Sequence, residues 1–472
     1  MPNSGPVRPR VVVAGLSGDA GKTLVAVGLA LAARRRGLLV RGFKKGPDYI
    51  DAAWLRWATG QPARNLDSFL MGVDGVRAQF LRHALPDGVN VIEGNRGLYD
   101  GVDAAGTHST ATLAKALRAP VVLVVNATKV TRTAAACVLG CQALDPDVWI
   151  AGVVLNHVGG SRHERVLREA VESTCRLPVL GVLPKIPGET FMPSRHLGLV
   201  PPEEHGDCET LERRMHQFVA GRLAVDDILA IARQAPDVDA GGGRRAETVS
   251  GSGLKIGYLR DAAFTFYYPD NLEAIEVSGA RLVPISALAD TGLPGDLDAL
   301  YVGGGFPETH AARLTANQTF LASLRDQAEA GLPIYGECGG LMLLSRGIAW
   351  RGVFSPMAGV LPFSVEMCVQ PQGHGYAEMF VDGENPFFPA GVSLTGHEFH
   401  YSRIVPDGDL PTTACAMRRG TGSCAGRDGI VQKNVWASYT HLHAVSSPEW
   451  ADGLLRAARR HAESRRPIGC CA

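Results

Sequence analysis

The sequence has little of several features that would direct its 472 residues to particular partners or compartments. Its 47 basic and 47 acidic residues cancel, so charge gives no reason to expect nucleic acid or a membrane surface as a partner. The 10 cysteines are scattered without the Cys/His spacing of a zinc site, which favours free thiols over a disulfide framework. No apolar run is long enough to span a bilayer, and the N-terminus lacks the apolar core of a signal peptide. We therefore expect a cytoplasmic protein with no nucleic-acid or membrane partner.

The first part of the chain has the pattern of a parallel sheet. The whole chain is too long for one hydrophobic core, so we expect two or three domains. From residue 10 to about 185, runs that are apolar nearly throughout alternate with helical stretches, which is typical of strands covered by helices on both faces. The candidate strands are Val11–Ala14, Leu38–Phe43, Val89–Ile92, Val121–Val125, Ile150–Leu155 and Val179–Leu183. One helix is expected over Thr210–Arg233, within an N-terminal α/β domain over 1–236.

A Gly- and Ser-rich segment over 237–253 predicts a flexible linker, after which the alternation restarts. The strand candidates that follow it are Leu254–Leu259, Arg281–Pro284, Leu300–Val302 and Pro333–Tyr335. Residues 350–440 hold shorter, alternating runs with many glycines, which favour antiparallel strands. We expect a second α/β domain over 254–446 and a helical tail over 447–472, whose basic helix Glu449–Arg466 we interpret as a solvated cover.

The first motif with a clear chemistry is a glycine-rich loop between the first candidate strand and a helix. It reads Gly15-Leu16-Ser17-Gly18-Asp19-Ala20-Gly21-Lys22-Thr23. Glycines let backbone N–H groups approach phosphate oxygens, and the helix N-terminus adds a favourable partial charge. Lys22 would reach the terminal phosphates, and the Thr23 hydroxyl would bind Mg²⁺. The first glycine stands one residue earlier than in the strict pattern, but strand, loop and helix together predict a nucleotide site rather than an ordinary turn. Its residues would be Ser17, Gly18, Ala20, Gly21, Lys22 and Thr23.

Two acidic stretches, Lys44–Asp51 and Glu93–Gly101, follow the second and third candidate strands. Carboxylates at the carboxyl ends of parallel strands face the crevice in which ligands bind. With Thr23, they could complete a shell of hard oxygen ligands around Mg²⁺. The alternative is that Asp48, Asp51 and Asp100 only cap turns. Because they lie beside a phosphate loop, we favour the metal site.

The second region carries a different chemistry at Cys338, which lies at a sharp turn in Tyr335-Gly336-Glu337-Cys338-Gly339-Gly340. A helix N-terminus lowers the pKa of a thiol, and the neighbouring glycines give the turn backbone freedom, as in nucleophile elbows. Upstream, Gly303–Glu308 could direct backbone N–H groups at a developing oxyanion. Downstream, His441 is the candidate base. A lone buried cysteine is usually a core residue, but these companions favour a catalytic thiol.

The second domain resembles class I glutamine amidotransferases, and the first resembles dethiobiotin-synthetase-like P-loop ATPase domains. The two are fused in the glutamine-dependent corrinoid amidase-synthetase family, within which the chain is most similar to cobyrinic acid a,c-diamide synthases. The matching stretches cover almost the whole chain except the linker and tail. They are the phosphate loop, Lys44–Asp51, Arg64–Asp67, Glu93–Gly101, Arg195–Leu199, Ala263–Leu272 and Gly396–Ser402.

The resemblance implies two coupled half-reactions. In the second domain, Cys338 and His441 would hydrolyse the side-chain amide of L-glutamine, with an oxyanion hole formed by Gly304, Gly305 and Gly339. In the first domain, MgATP would phosphorylate the a and c carboxylates of cobyrinate, a corrin, as in cobalamin biosynthesis. Ammonia, from glutamine or from solution, would then displace phosphate to leave an amide.

The resemblance also assigns binding residues in the first domain. Mg²⁺ would be held by Thr23, Asp48 and Glu93, and Asn156 occupies the position that reads the adenine edge. The ring substrate would contact Lys44, Tyr49, Ile50 and Asp100.

Some features leave alternatives open. Many class I amidotransferases have a glutamate two residues after the catalytic histidine, where this chain has His443, so a dyad of Cys338 and His441 is expected. The ring could also be hydrogenobyrinate or nickel-sirohydrochlorin, and a homodimer is one arrangement open to the chain. A partitioning-type ATPase switch is the remaining alternative, but such proteins carry a second lysine early in the loop, where this chain has Leu16 and Ser17.

Overall fold

A computed structural model describes residues 8–185, 191–195, 198–239 and 249–465. The chain divides into two compact units, Met1–Arg244 and Arg245–Ala472, each with its own hydrophobic core. The division falls within the predicted linker, of which 240–248 lie outside the described residues. Among the described helices, none is long and apolar enough to cross a membrane.

The first unit is built on a parallel sheet, as the apolar pattern predicts. Its described strands are β1 (Arg10–Gly15), β2 (Val40–Lys45), β3 (Arg64–Leu66), β4 (Val89–Gly97), β5 (Val121–Asn126), β6 (Ile150–Val158) and β7 (Val179–Pro184). They are hydrogen-bonded in the order β3-β2-β4-β1-β5-β6-β7, and all these pairings are parallel. The three-residue β3 is too short to give an apolar run and was not predicted.

Helices connect these strands. They are α1 (Lys22–Arg35), α2 (Ile50–Thr59), α3 (Ser68–His83), α4 (Thr110–Ala116), α5 (Arg132–Leu144), α6 (Ser161–Cys175), α7 (Cys208–Val219) and α8 (Val225–Arg233), with a small ladder of β8 (Ser194–Arg195) and β9 (Gly198–Leu199) and a 3₁₀ turn (Pro202–Glu204) before α7. α1 packs closely against α7, because a Cβ at Gly28 would lie only 2.5 Å from Cγ2 of Val219. Glycine at this position therefore lets the two helices approach each other.

The structure divides the predicted helix Thr210–Arg233 into α7 and α8. Between them, Gly221 has a φ of +75°, which lies outside the helical region. Leu223 then forms a bridge to Gly181 at the edge of the sheet, and the next residue donates its N–H to the carbonyl oxygen of Leu180. The prediction of one helix is wrong because this pairing with β7 outweighs the local helical preference.

The second unit combines parallel and antiparallel strands. Its described strands are β10 (Lys255–Leu259), β11 (Arg281–Ile285), β12 (Ala299–Val302), β13 (Ile334–Glu337), β14 (Gly347–Trp350), β15 (Val353–Pro356), β16 (Phe363–Met367), β17 (Gly373–Val381), β18 (Ser393–His400), β19 (Ser402–Pro406), β20 (Thr413–Arg419), β21 (Arg427–Gln432), β22 (Val435–Ser438) and β23 (His441–Leu442). The larger sheet has the order β11-β10-β12-β13-β22-β21-β20-β17-β18-β23, parallel as far as β22 and antiparallel beyond it. The smaller sheet has the order β15-β14-β16-β19. The antiparallel strands lie largely in 350–440, where the alternating runs predict them.

The helices of the second unit are α9 (Pro269–Val277), α10 (Ala311–Ala316), α11 (Gln318–Glu329), α12 (Gly339–Leu344) and α13 (Glu449–Ser464). The sequence predicts that the basic C-terminal helix is a solvated cover, and this prediction is wrong. α13 buries Trp450, Leu454 and Leu455 in the core of the unit and packs on β12. Its basic residues line only the opposite face, so average charge hides an amphipathic helix.

Candidate functional sites on the two units

The phosphate loop lies between β1 and α1, which begins at Lys22. Gly21 has a φ of +96°, and a Cβ there would lie 2.1 Å from Nδ2 of Asn156. That amide donates a 2.9 Å hydrogen bond to the carbonyl oxygen of Ala20. Asn156, at the end of β6, therefore holds the loop against the sheet, and only glycine fits at position 21. The adenine contact of Asn156 stays a prediction.

The predicted ATP-binding residues of the loop differ in accessibility. Ser17 and Gly18 are exposed, whereas Ala20 is buried. Nζ of Lys22 donates to the carbonyl oxygen of Ser17 at 3.2 Å, so the lysine is folded back along the loop. Burial and then the charge of Lys44 lower the pKa of Lys22. An incoming phosphate would oppose both effects, because its negative charge favours the protonated form of Lys22.

A cluster of charged side chains meets beside the loop. Lys44 and Glu93 are opposite each other in the parallel register of β2 and β4. Nζ of Lys44 donates to Oε1 of Glu93 at 3.1 Å and to Oδ2 of Asp51 at 2.6 Å. Oγ1 of Thr23 donates to the same Glu93 oxygen at 2.6 Å. The cluster therefore joins the first turn of α1 to two neighbouring strands, β2 and β4.

The aspartates of this region have separate roles. Asp51 contacts Lys44 directly, although it was not among the predicted site residues; its place in the same short run was the available signal. Oδ1 of Asp48 accepts a 2.8 Å hydrogen bond from the N–H of Asp51 at the start of α2. The turn-capping alternative is therefore correct for this oxygen of Asp48.

Burial dominates the ionisation of the cluster. It raises the pKa of Glu93 to about 7, with the carboxylate of Asp51 adding to the effect and Lys44 opposing it. The same influences raise the pKa of Asp48 to about 6. Burial alone would lower the pKa of Lys44, but the carboxylates of Asp51 and Glu93 outweigh it and raise that pKa above its usual value. The lysine therefore stays charged, and the carboxylates would gain from a second cation.

The oxygen atoms of the cluster fit a divalent cation. Oε2 of Glu93 is buried, and none of the described groups hydrogen-bonds to it. The carboxylate of Glu93 and the hydroxyl of Thr23 are hard oxygen ligands of the kind that Mg²⁺ prefers. A cation at this position would satisfy the orphaned oxygen. The structure thus brings two of the predicted metal ligands together, with Asp48 in the same electrostatic cluster.

The predicted ring-binding residues differ in accessibility. Ile50 is buried at the start of α2, Tyr49 is half-buried and Asp100 is exposed. Oδ2 of Asp100 accepts a 2.8 Å hydrogen bond from the N–H of Gly97, at the end of β4. Lys44 is only 1% exposed, and its ammonium is taken up by the carboxylate cluster. Tyr49 and Asp100 are therefore more accessible to a substrate than Lys44.

In the second unit, Cys338 lies between β13 and α12. Its φ of +48° and ψ of −96° are strained for a residue with a side chain, as expected for a nucleophile elbow. Its N–H donates to the carbonyl oxygen of Ser438 at 2.7 Å, which ties the elbow to β22. A Cβ at Gly340 would lie 2.3 Å from the carbonyl oxygen of Val302, so α12 packs directly on the backbone of β12.

The backbone predicted to form the oxyanion hole lies beside both catalytic candidates. A Cβ at Gly339 would be 3.0 Å from the nitrogen of Gly305. A Cβ at Gly304 would be 2.7 Å from Cε1 of His441. Three elements therefore lie close together, as the oxyanion-hole prediction requires. They are the glycine turn (Gly303–Gly305), the elbow at Cys338, and His441 on β23. Donation by these N–H groups to an oxyanion stays a prediction.

The thiol of Cys338 does not have the low pKa expected at a helix N-terminus. Burial, followed by the carboxylate of Glu308, raises the pKa of Cys338 to about 12, although the N–H of Gly339 acts in the opposite direction. The expectation is wrong because burial of the thiol and the nearby carboxylate outweigh the N–H of Gly339. The thiol is therefore protonated at neutral pH and needs a base.

His441 is buried at the start of β23, and its ring nitrogen Nδ1 lies 3.4 Å from Oε2 of Glu337. Its ring stacks on that of His397, with 5.0 Å between centroids. Sequence reasoning missed Glu337, although it directly precedes Cys338. Adjacent residues of a strand point to opposite faces, so this neighbour of the nucleophile was not expected at the same site.

His443 has a carboxylate partner of its own. Its Nε2 lies 3.6 Å from Oδ2 of Asp270, and its Nδ1 accepts a 3.1 Å hydrogen bond from the N–H of Val445. Its ring also packs on that of Tyr268 at 4.5 Å between centroids. These contacts fix His443 within the protein core beside α9.

Known proteins match both units of the chain. Residues 11–199 match the CobQ/CobB/MinD/ParA nucleotide binding domain, and residues 255–449 match the CobB/CobQ-like glutamine amidotransferase domain. A cobyrinate a,c-diamide synthase of Magnetococcus marinus is 42% identical, over 97% of this chain and 99% of its own length. Proteins of the same name from Syntrophotalea carbinolica and Archaeoglobus fulgidus are 42% and 40% identical, and they span 93% and 96% of this chain and 96% and 98% of their own lengths. The chain therefore belongs to the cobyrinate a,c-diamide synthase family.

Proposed function

We propose that the protein is a ligase that uses ATP and L-glutamine to amidate the a and c carboxylates of cobyrinate. The observation that carries this proposal is the presence, in one chain, of a cysteine elbow with a buried histidine and a phosphate loop with a carboxylate cluster. Relatives named for this reaction match nearly the whole chain. We expect the enzyme to act in the cytoplasm, where ATP and glutamine are available.

The glutaminase half-reaction uses the elbow. Sγ of Cys338 attacks the side-chain amide carbon of glutamine while its proton passes to Nε2 of His441. N–H groups of the glycine turn stabilise the oxyanion that forms. The proton then leaves with the amide nitrogen as ammonia, and a γ-glutamyl thioester remains. Water attacks the thioester and gives a proton to His441, which passes it to the departing sulfur as glutamate is released.

The synthetase half-reaction uses the phosphate loop. A ring carboxylate attacks the terminal phosphate of ATP, which gives an acyl phosphate and ADP. This activation is needed because the leaving group of a free carboxylate would be oxide, whereas an acyl phosphate has a good leaving group. Lys22 balances phosphate charge, and ammonia then displaces phosphate to form the amide.

Mg²⁺ would be held by Thr23 and Glu93, with Asp48 close to the same charges. When bound, it would neutralise phosphate charge during transfer. The chain's own contribution is orientation: Lys44 holds the carboxylates of Glu93 and Asp51 at 3.1 and 2.6 Å.

The decisive experiment gives the purified protein MgATP, glutamine and one ring at a time: cobyrinate, hydrogenobyrinate or nickel-sirohydrochlorin. We expect mass spectrometry to find the monoamide and diamide of cobyrinate, with one glutamate released per amide. Faster amidation of another ring would replace the proposed substrate but keep the chemistry. ATP hydrolysis with no amide and no glutamate would instead favour a nucleotide-dependent switch.

The two half-reactions are separated by Cys338→Ser. We expect this variant to lose glutamine-dependent amidation and to keep the reaction with ammonia, because the two sites lie on different units. Cys137→Ser is the matched control, since Cys137 is an exposed cysteine of the first unit, and it should keep both reactions. Loss of the ammonia-dependent reaction in a folded Cys338→Ser protein would contradict the assignment.

A further inference from the structure

We propose that Glu337 is the positioning carboxylate of the glutaminase site, which holds His441 through Nδ1 so that Nε2 serves Cys338. The proposal rests on the glutaminase function given above and adds a third group to the expected dyad. Its first observation is the 3.4 Å distance between Oε2 of Glu337 and Nδ1 of His441. A carboxylate at this nitrogen fixes both the orientation and the tautomer of an imidazole.

The carboxylate of Glu337 is itself held in place from two sides. Oε2 accepts a 3.0 Å hydrogen bond from the hydroxyl of Tyr301, on β12. Oε1 accepts a 3.1 Å hydrogen bond from the N–H of Leu442, the residue after His441. The side chain of Glu337 is fully buried, so these bonds replace its hydration and fix its plane. Glu337 therefore binds the backbone beside His441 and lies 3.4 Å from the ring itself.

The ring of His441 is confined on its other sides. Its Cε1 and Nε2 would lie 2.7 and 3.4 Å from a Cβ at Gly304, so this edge faces the glycine turn. One face stacks on His397, with the two ring planes 20° apart. A proton on Nδ1 would lie beside Glu337, which leaves the lone pair of Nε2 on the ring edge that faces Gly304. This tautomer is assigned from the geometry of the carboxylate.

Two other buried acids of this unit, Asp270 and Asp428, have partners of their own. Asp270 faces His443 at 3.6 Å. Asp428 accepts hydrogen bonds from the N–H of Tyr439 and from the N–H and hydroxyl of Thr440. Asp428 thus holds the backbone that leads to His441, whereas Glu337 contacts the imidazole.

The chemical role of Glu337 requires no proton transfer to it. As the proton of Cys338 moves from Sγ to Nε2, the imidazole becomes an imidazolium, and the Sγ–carbon bond to glutamine forms. The carboxylate of Glu337 opposes the new positive charge through the Nδ1–H. When Nε2 gives its proton to the leaving nitrogen, the carbon–nitrogen bond breaks and His441 returns to its neutral form.

The test compares Glu337→Gln with Glu337→Asp. Glutamine has the size of glutamate but no charge, and it can offer an N–H to Nδ1, which would favour the wrong tautomer. We expect Glu337→Gln to lower kcat for glutamine hydrolysis about 10²-fold, with KM for glutamine changed by no more than about 3-fold. Glu337→Asp keeps the charge and should recover part of this loss. Both variants should keep the ammonia-dependent reaction.

Tyr301→Phe is the matched control, because it removes one hydrogen bond from Glu337 but keeps the carboxylate. Its loss of kcat should be smaller than that of Glu337→Gln. An unchanged kcat in Glu337→Gln would overturn the proposal. Equal losses in the Gln and Asp variants, with lower melting temperatures in both, would also overturn it, because they would indicate a purely structural residue.

A second readout needs no turnover and separates this proposal from the proposed function. In ¹⁵N-histidine-labelled protein, NMR should find His441 as the Nδ1–H tautomer, assigned by loss of its signals in His441→Gln. Glu337→Gln should shift the population towards Nε2–H. The same tautomer in both proteins would overturn the role of Glu337 whether or not the enzyme uses glutamine. Absence of glutamate release by the parent protein would instead count against the proposed function alone.

Discussion

The two sites of this protein place their reactive groups by different means. In the first unit, Lys44 and Glu93 are neighbours across two parallel strands, so the register of a regular sheet sets their 3.1 Å contact. In the second unit, Cys338 lies at a strained turn, and His441 comes from a short strand near the end of the domain. The charged cluster of the first site therefore follows from the pairing of regular strands. A nucleophile also needs an exceptional backbone conformation and a distant partner.

The two sites also differ in their electrostatics. Around Lys44, buried charges of both signs contact one another, and Asp48 and Glu93 have pKa values of about 6 and 7. Around Cys338, burial and then acidic neighbours raise the pKa of the thiol to about 12. An added cation would therefore stabilise the carboxylates of the first site. The thiol of the second site is unreactive until a base removes its proton.

The largest expected effect comes from removing charge at the first site. We expect Lys22→Ala and Glu93→Gln to lower amidation about 10³-fold or more with glutamine and with ammonia alike, since charge stabilisation dominates phosphoryl transfer. Initial rates of ADP and amide formation measure this. Lys115→Ala, which removes a half-exposed lysine paired with Asp145, should keep the parent rate. A near-normal ammonia-dependent rate in Glu93→Gln would remove Glu93 from the metal site. Charge would then matter less at the first site than the structure implies.

A smaller effect, confined to one nitrogen source, is expected at the second site. His441→Ala should lower glutamine hydrolysis about 10²-fold or more, because it removes the base. His443→Ala should cost much less, since His443 pairs with Asp270 rather than with Glu337. Glutamate release and ammonia-dependent amidation, measured for both variants, separate the two roles. Equal losses at the two positions would mean that both histidines act in the reaction.

The smallest effect concerns the resting thiol. With a pKa of about 12, Cys338 is almost entirely protonated at neutral pH, so its alkylation by iodoacetamide should be slow. Its rate should rise about tenfold for each unit of pH between 7 and 9, as the thiolate fraction rises. Glu308→Gln removes a charge that raises this pKa and should speed alkylation about 3- to 10-fold.

Mass spectrometry of the modified peptides measures these rates, with the exposed Cys137 as an internal reference for reagent quality. Fast alkylation that does not change between pH 7 and 9 would mean that the thiol is already ionised. The second site would then also hold an ionised group at rest, and the two sites would not differ in this respect.

Much of the fold could be predicted because its signals are local. The phosphate loop and the elbow are contiguous runs, and the buried strands of the first unit read as apolar segments. The parallel register that joins Lys44 to Glu93 could be expected only in outline, as two strand ends at one edge of a sheet. The contact between Lys44 and Asp51 depends on how α2 begins, which no single motif specifies.

The errors came from interactions that lie outside the local pattern. The break between α7 and α8 depends on pairing of Leu223 with the sheet edge. The burial of α13 depends on Trp450 and Leu454, which were available as a helical stripe but were outweighed by the basic residues around them. The proximity of Glu337 to His441 depends on the reversal of the chain at Cys338 and could not follow from strand alternation.

The close packing of α1 and α7 has a consequence for how this chain can change over generations. Gly28 and Val219 share one volume, so an alanine at position 28 fits only after the valine has become smaller. Val219→Ala alone would cost about 2 kcal/mol of unfolding free energy, and a following Gly28→Ala would restore contact and add helix propensity. The reverse order passes through a steric clash. Substitutions at these two positions are therefore expected to be ordered in descent, and the unfolding free energies of the two single variants and the double variant would measure the coupling.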